Sequence, residues 1–135
     1  NDKAVFIEAC DPITDKGSWS FAKWEPPAEI DFDAVSKSKL SNTNKPSWWK
    51  SSFPTPDTRV ALELDCSGLS KGQVYLNGQA LGRYFVSDAK GKSVDPSLPL
   101  PIPFAWLNED GANELVIFDE HGFAPTKVKV GVTRR

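Results

Sequence analysis

Apolar and polar positions alternate with a period of two over residues 60–65, where Val60, Leu62 and Leu64 share one face, and again over 127–132, where Val128, Val130 and Val132 alternate with Lys127, Lys129 and Gly131. That period belongs to strands. The first segment predicts a half-buried strand, and the second, with lysines on one face, a strand near a sheet edge. Residues 114–118 form a continuous apolar run after Glu114, as expected of a central strand covered on both faces. Runs at 73–76 and 79–84 flank Asn77-Gly78, a dipeptide that tolerates the positive φ values of a type I′ turn, so a tight hairpin is expected. Residues 4–8 and 48–53 read as strands too, the latter ending at Pro54 and Pro56, which cannot continue a ladder. Only 28–40, with Ile30, Phe32 and Val35, has any helical spacing, and it is weak. Six or seven short strands separated by turns predict an all-β antiparallel sandwich or jelly roll, with no internal repeat.

The order of strands also predicts which loops are neighbours, because consecutive antiparallel strands reverse direction at each connection. With the Asn77-Gly78 turn at one end, the connections at 53–58 and 108–112 fall at that same end. The connections at 42–49, 67–72, 84–99 and 119–126 gather at the opposite pole.

Composition narrows the function classes. The 135 residues have the size of one domain. Sixteen Lys+Arg against 18 Asp+Glu leave a formal charge of −2, which offers no electrostatic footprint for nucleic acid or an anionic membrane. No apolar run approaches the roughly 20 residues of a membrane-spanning helix. Neither an initiator Met nor a leader opens the chain, so a mature secreted product or, preferably, a piece of a larger protein is expected. Cys10 and Cys66 follow no metal-ligand spacing and are either bonded to each other or two buried thiols.

Candidate chemistry is sparse. One His and two distant Cys do not make a zinc site. Asp31, Asp33, Asp88, Asp95, Asp119 and Glu120 are of the type that ligates calcium, yet none sits in a regular loop motif, and solvated loop charge is the favoured reading. No cofactor is expected, with structural calcium kept as a minor alternative. Asp88 and Glu120, both on loops of the second pole, are the pair to consider for glycoside hydrolysis, which needs two carboxyls either about 5 Å or about 6.5 to 9.5 Å apart. A Ser–His–acid triad around His121 lacks a nucleophile elbow. Neither arrangement is favoured.

The aromatics say more. Trp19, Trp24, Trp48, Trp49, Trp106, Tyr75, Tyr84 and Phe85 are many for one small domain, and half or more are expected in the core. Alternation turns one of Trp48 and Trp49 inward and the other outward. Tyr84 and Phe85 open the longest loop, and at least one of them is a candidate sugar platform. His121 and Phe123 on the last loop are candidates to join them.

The stretch Lys71-Gly72-Gln73-Val74-Tyr75-Leu76-Asn77-Gly78-Gln79-Ala80-Leu81-Gly82-Arg83-Tyr84 resembles a signature of the non-catalytic jelly-roll domains of glycoside hydrolase family 35 β-galactosidases. Two flanking segments, Pro46-Ser47-Trp48-Trp49-Lys50 and Pro101-Ile102-Pro103-Phe104-Ala105-Trp106-Leu107 with Asn113 to Phe118, resemble the same family in order and spacing. Phe85 stands where that family often has Trp. The resemblance implies a galactose-binding-like β-sandwich beside a catalytic glycosidase domain, and a chain that is not itself an enzyme. It implies as partner a polysaccharide or oligosaccharide containing galactose, of plant or algal origin, with Trp48, Trp49, Tyr84 and Phe85 as stacking candidates and Arg83, Asp88, Glu120, His121 and Asn44 as polar ones. Arg83 is assigned first to anchoring its own loop. A monomer in an extracellular setting is expected, with the periplasm or cell surface as alternatives. The competing reading is a structural accessory domain with no sugar affinity.

Overall fold

The structure, a computed structural model, describes residues 17–95, 97–109 and 111–133. Seven strands form two antiparallel sheets: β1 (Ser47–Pro54), β2 (Leu62–Asp65), β3 (Lys71–Leu76), β4 (Gln79–Phe85), β5 (Leu100–Ile102), β6 (Ala112–Asp119) and β7 (Lys129–Val132). The four-stranded sheet has the order β1-β6-β3-β4 and the three-stranded sheet β5-β2-β7. The all-β sandwich is the expected architecture. The run at 114–118 is central, and 129–132 lies at an edge. The strand expected at 4–8 and Cys10 lie outside the described residues. The weak helix at 28–40 is not formed; two 3-10 turns, Glu29–Asp31 and Lys37–Lys39, stand there in an extended segment.

Alternation explains the core. Leu62 and Leu64 from β2 meet Val74 and Leu76 from β3 and Leu115 and Ile117 from β6, with Ile102 from β5. Leu64, Val74 and Leu76 are fully buried, and truncating such a residue to Ala typically costs about 2–5 kcal/mol. Cys66 joins this cluster, buried and with no disulfide partner among the described residues.

Asn77 and Gly78 take φ values of 49° and 79°, as the type I′ turn requires. On the far arm of this hairpin, the register shifts at Val74/Tyr75: Val74 faces Gly82 and Tyr75 faces Ala80, leaving Leu81 as an extra residue. That β-bulge resets the phase of β4. Tyr84 therefore points into the core, while Arg83 and Phe85 point out.

The outer face of the four-stranded sheet is partly covered by the N-terminal extended segment. Trp24 stacks on Trp48 with ring centroids 5.2 Å apart, and its edge meets Phe118 at 5.0 Å. Lys50 pairs with Glu29 and, at 3.0 Å, with Glu114, and its ammonium lies 5.6 Å from the Phe32 ring centroid.

Candidate functional site

The four loops expected at one pole do meet there, and one carboxylate gathers them. Asp119, at the end of β6, is fully buried. It accepts the Ser70 N–H at 2.8 Å and hydroxyl at 2.7 Å, the Tyr84 hydroxyl at 2.9 Å, and the N–H groups of His121 and Phe123 at 3.1 and 3.0 Å. An ionised carboxylate is acceptor-only, and this ring of donors is what makes burying its charge tolerable. Backbone bonds extend the closure: Val86 and Ser87 donate to Ser70 O, and Glu120 to Lys71 O. The Thr43 N–H donates to Gly122 O at 2.8 Å, and Ala124 N–H to the Asn42 side chain at 2.8 Å. Gly122 has φ of 69°, and a Cβ there would run into Thr43 and Lys45, so only glycine lets the 42–45 segment close down on this loop.

Several sugar candidates are occupied in building this pole. Tyr84 is buried, with its hydroxyl shared between Asp119 and the Phe118 carbonyl, which leaves no ring face for a ligand. Burial, reinforced by the Asp119 charge, pushes its phenol above the ordinary range. Trp49 is the inward member of its pair and packs on the core, its indole N–H meeting no acceptor among the described residues. Asp88 folds its carboxylate back onto the N–H groups of Lys90 and Lys92, both at 2.9 Å, and so shapes its own loop. Asn44 is exposed in a left-handed turn (φ 58°), and Asn42, not singled out from sequence, makes the tether.

His121 is half-buried, with Nδ1 3.0 Å from the Ser70 hydroxyl. Because that hydroxyl donates to Asp119, it accepts from the imidazole, which places a proton on Nδ1. Here Ser70 stands between acid and imidazole, whereas a hydrolytic triad needs the imidazole between acid and hydroxyl. Ser70 is also fully buried. The arrangement can hold loops; it does not generate a nucleophile.

Other candidates remain open to solvent. Phe85 is 51% exposed, with the Lys71 ammonium 5.7 Å from its ring centroid, and Lys71 pairs with Glu120 at 3.2 Å. Arg83 is exposed and pairs with no carboxylate among the described residues, so the anchoring expected of it is done by Tyr84.

Sequence reasoning missed the concavity at this pole. A cleft of about 320 Å³ opens between the 67–69 turn, the long 86–97 loop and the 123–127 loop. Ser67, Ser87, Ser93 and Ser97 supply hydroxyls, Phe123 a half-buried ring, and Lys127 an ammonium. A second hollow of about 160 Å³, which shares Ser67, Val86 and Ser97, continues it towards Asp65 and Cys66. The Ser67 hydroxyl and N–H hold the Asp65 carboxyl below its usual range, and burial pushes the Cys66 thiol up to about 12. Serines and glycines leave no periodic mark in a sequence, so nothing local announces the cleft; of its lining residues only Phe123 is a candidate from sequence.

Two facing antiparallel sheets, with long loops gathered round a polar cleft at one pole, define a β-sandwich domain of the galactose-binding-like class. A family profile described as "Beta-galactosidase, galactose-binding domain" matches residues 46–113. The chain belongs to this family. It is 32% identical over 122 residues to "Beta-galactosidase 12" of Oryza sativa subsp. japonica, a match covering 90% of this chain and 12% of that protein. "Beta-galactosidase 7" of the same organism is 38% identical over 84 residues, covering 62% of this chain and 11% of that protein. "Beta-galactosidase 8" of Arabidopsis thaliana is 32% identical over 116 residues, covering 70% and 14%. The chain thus spans 11–14% of the length of these relatives.

Proposed function

We propose that this chain is a non-catalytic carbohydrate-binding module that takes a galactose-containing plant or algal polysaccharide into the polar cleft and keeps an attached glycoside hydrolase domain on its substrate outside the cell. The observation that carries the reading is the hydroxyl-lined cleft with the Phe123 ring on its wall, at the pole where the loops converge. Binding sites for small ligands are concave and combine an apolar surface with a few placed polar groups. The Phe123 ring suits the C–H face of a pyranose, and Ser67, Ser93 and Lys127 suit its hydroxyls. The Asp119 network holds the loops in place before the ligand arrives, which lowers the ordering cost of binding.

Isothermal titration with galactose, galactan, agarose and xyloglucan fragments tests this. Binding to at least one, weakened about tenfold by Phe123→Leu and by Lys127→Ala, a loss of roughly 1.4 kcal/mol, is expected. Silence across the panel with a folded protein sinks the reading. A second reading, a structural accessory domain docked on a catalytic neighbour, is favoured by Trp19 and Phe21, which are 83% and 92% exposed. It predicts that silence.

A further inference from the structure

The outer face of the four-stranded sheet carries side chains that the cleft does not use. In the strand register, Arg83 on β4 opposes Gln73 on β3, Gln73 opposes Phe118 on β6, and Phe118 opposes Trp48 on β1. Directly opposed residues share a face. The next residues along, Val74, Ile117 and Trp49, lie in or against the core, so this whole rung points away from it. One rung nearer the pole, Phe85 opposes Lys71, whose ammonium is paired with Glu120.

The result is two exposed rings with a polar strip between them. At one end is Phe85; at the other is Trp24, 55% exposed and backed by Trp48 and Phe118. Between them lie Lys71, Glu120 and Gln73, with Arg83 beside Phe85 on the edge strand β4. Among the described residues the Gln73 amide and the Arg83 guanidinium meet no hydrogen-bond partner; Gln73 is half-buried and Arg83 exposed. The strip crosses three strand spacings of about 4.8 Å each, about 14 Å in all, a span that a short oligosaccharide fills and a single pyranose does not. The Lys71–Glu120 pair cancels its own charge, which favours a neutral ligand over a polyanion. Flat rings with C–H-accepting faces flanking amide and guanidinium donors match the alternating faces and hydroxyls of a pyranose chain.

We propose that this outer face is a second glycan-binding surface, separate from the cleft, which takes a neutral β-linked pyranose chain across the strands, with Trp24 and Phe85 as platforms and Gln73 and Arg83 as hydrogen-bonding groups. It stands independently of the cleft reading.

The test is titration of the chain with three tetrasaccharides that carry no galactose, β-1,4-mannotetraose, cellotetraose and xylotetraose, with Trp24→Ala, Arg83→Ala and Phe123→Leu as variants. The two outer-face side chains are exposed, so their variants fold, and thermal melts within a few degrees of the parent verify it. At least one tetrasaccharide is expected to bind, with affinity lowered tenfold or more by Trp24→Ala and by Arg83→Ala and changed less than twofold by Phe123→Leu. Silence of all three tetrasaccharides overturns the proposal. So does binding that both outer-face variants leave intact, and binding lost only in Phe123→Leu assigns the chain to the cleft. The galactose, galactan, agarose and xyloglucan panel, titrated in parallel, reports on the cleft: its silence beside tetrasaccharide binding that responds to Trp24 and Arg83 removes the cleft reading and leaves this one standing.

Discussion

The two ends of β6 solve the same problem with different chemistry. Asn113 and Asp119 are both fully buried on the core-facing side of that strand, one at each pole. The Asn113 amide both gives and takes: it accepts from the Asn77 side chain at 3.0 Å and the Asn108 N–H at 2.8 Å, and donates to Phe53 O at 3.2 Å and Thr55 Oγ1 at 2.9 Å. A neutral group with two donors and two lone pairs is fully used there, and it ties short turns together. Asp119 only takes, from five donors on three segments, where the Asn113 amide meets four partners, also on three segments. A buried charge demands more partners than an amide does, and gathering them forces long loops to converge. The pole with the amide is a compact knot of turns; the pole with the carboxylate has a cleft.

The comparison predicts unequal losses. Asp119→Ala strands the buried Ser70 hydroxyl and the N–H groups of Ser70, His121 and Phe123 at once, leaves the Tyr84 hydroxyl only the Phe118 carbonyl, and is expected to cost about 4 kcal/mol of stability in urea unfolding. Asn113→Ala frees fewer buried donors, and about 2–3 kcal/mol is expected by the same measurement. Equal losses would mean that charge adds nothing at the first pole. Gly122→Ala imposes a Cβ on Thr43 and Lys45 at a positive φ and should cost about 2 kcal/mol, with faster hydrogen exchange at Thr43 and Ala124 while Glu114 and Asn77 stay protected.

The smallest effect separates the poles by pH. Cys66 is raised from 9.0 to about 12 and Tyr84 is raised above its ordinary 10.0, the first cause in each case being burial. The unfolded chain releases these protons first, so the stability they contribute is whole below pH 9 and drains away as pH climbs towards the folded values. Between pH 8 and pH 10 the Cys66 share is a loss of about 1 kcal/mol, measured by denaturant titration at each pH. Cys66→Ala should flatten that slope; Asn113→Ala should leave it unchanged.

The local parts of this fold were readable beforehand. The Asn77-Gly78 hairpin, the alternating face of 62–65 and the central run at 114–118 follow from turn chemistry and side-chain periodicity, which act over a few residues. The gathering of loops at one pole followed from counting reversals. The site was less readable. Alternation required one of Trp48 and Trp49 to face in, but their pairing with Phe118 and Ile117 chose which. Tyr84 and Phe85 were equal candidates until a bulge at Leu81 turned the first inward and the second out. Asp119 looked like one loop acid among several.

What the sequence alone determined was therefore the strands, the turns and the family, because each is written in neighbouring residues. The cleft at Ser67, Ser93 and Phe123, and the rung from Arg83 to Trp48, were decided by tertiary structure. They join residues far apart in the chain: the cleft depends on which loops the strands bring to one pole, and the rung on the pairing of whole strands, where a shift of one position would turn each of its side chains to the opposite face.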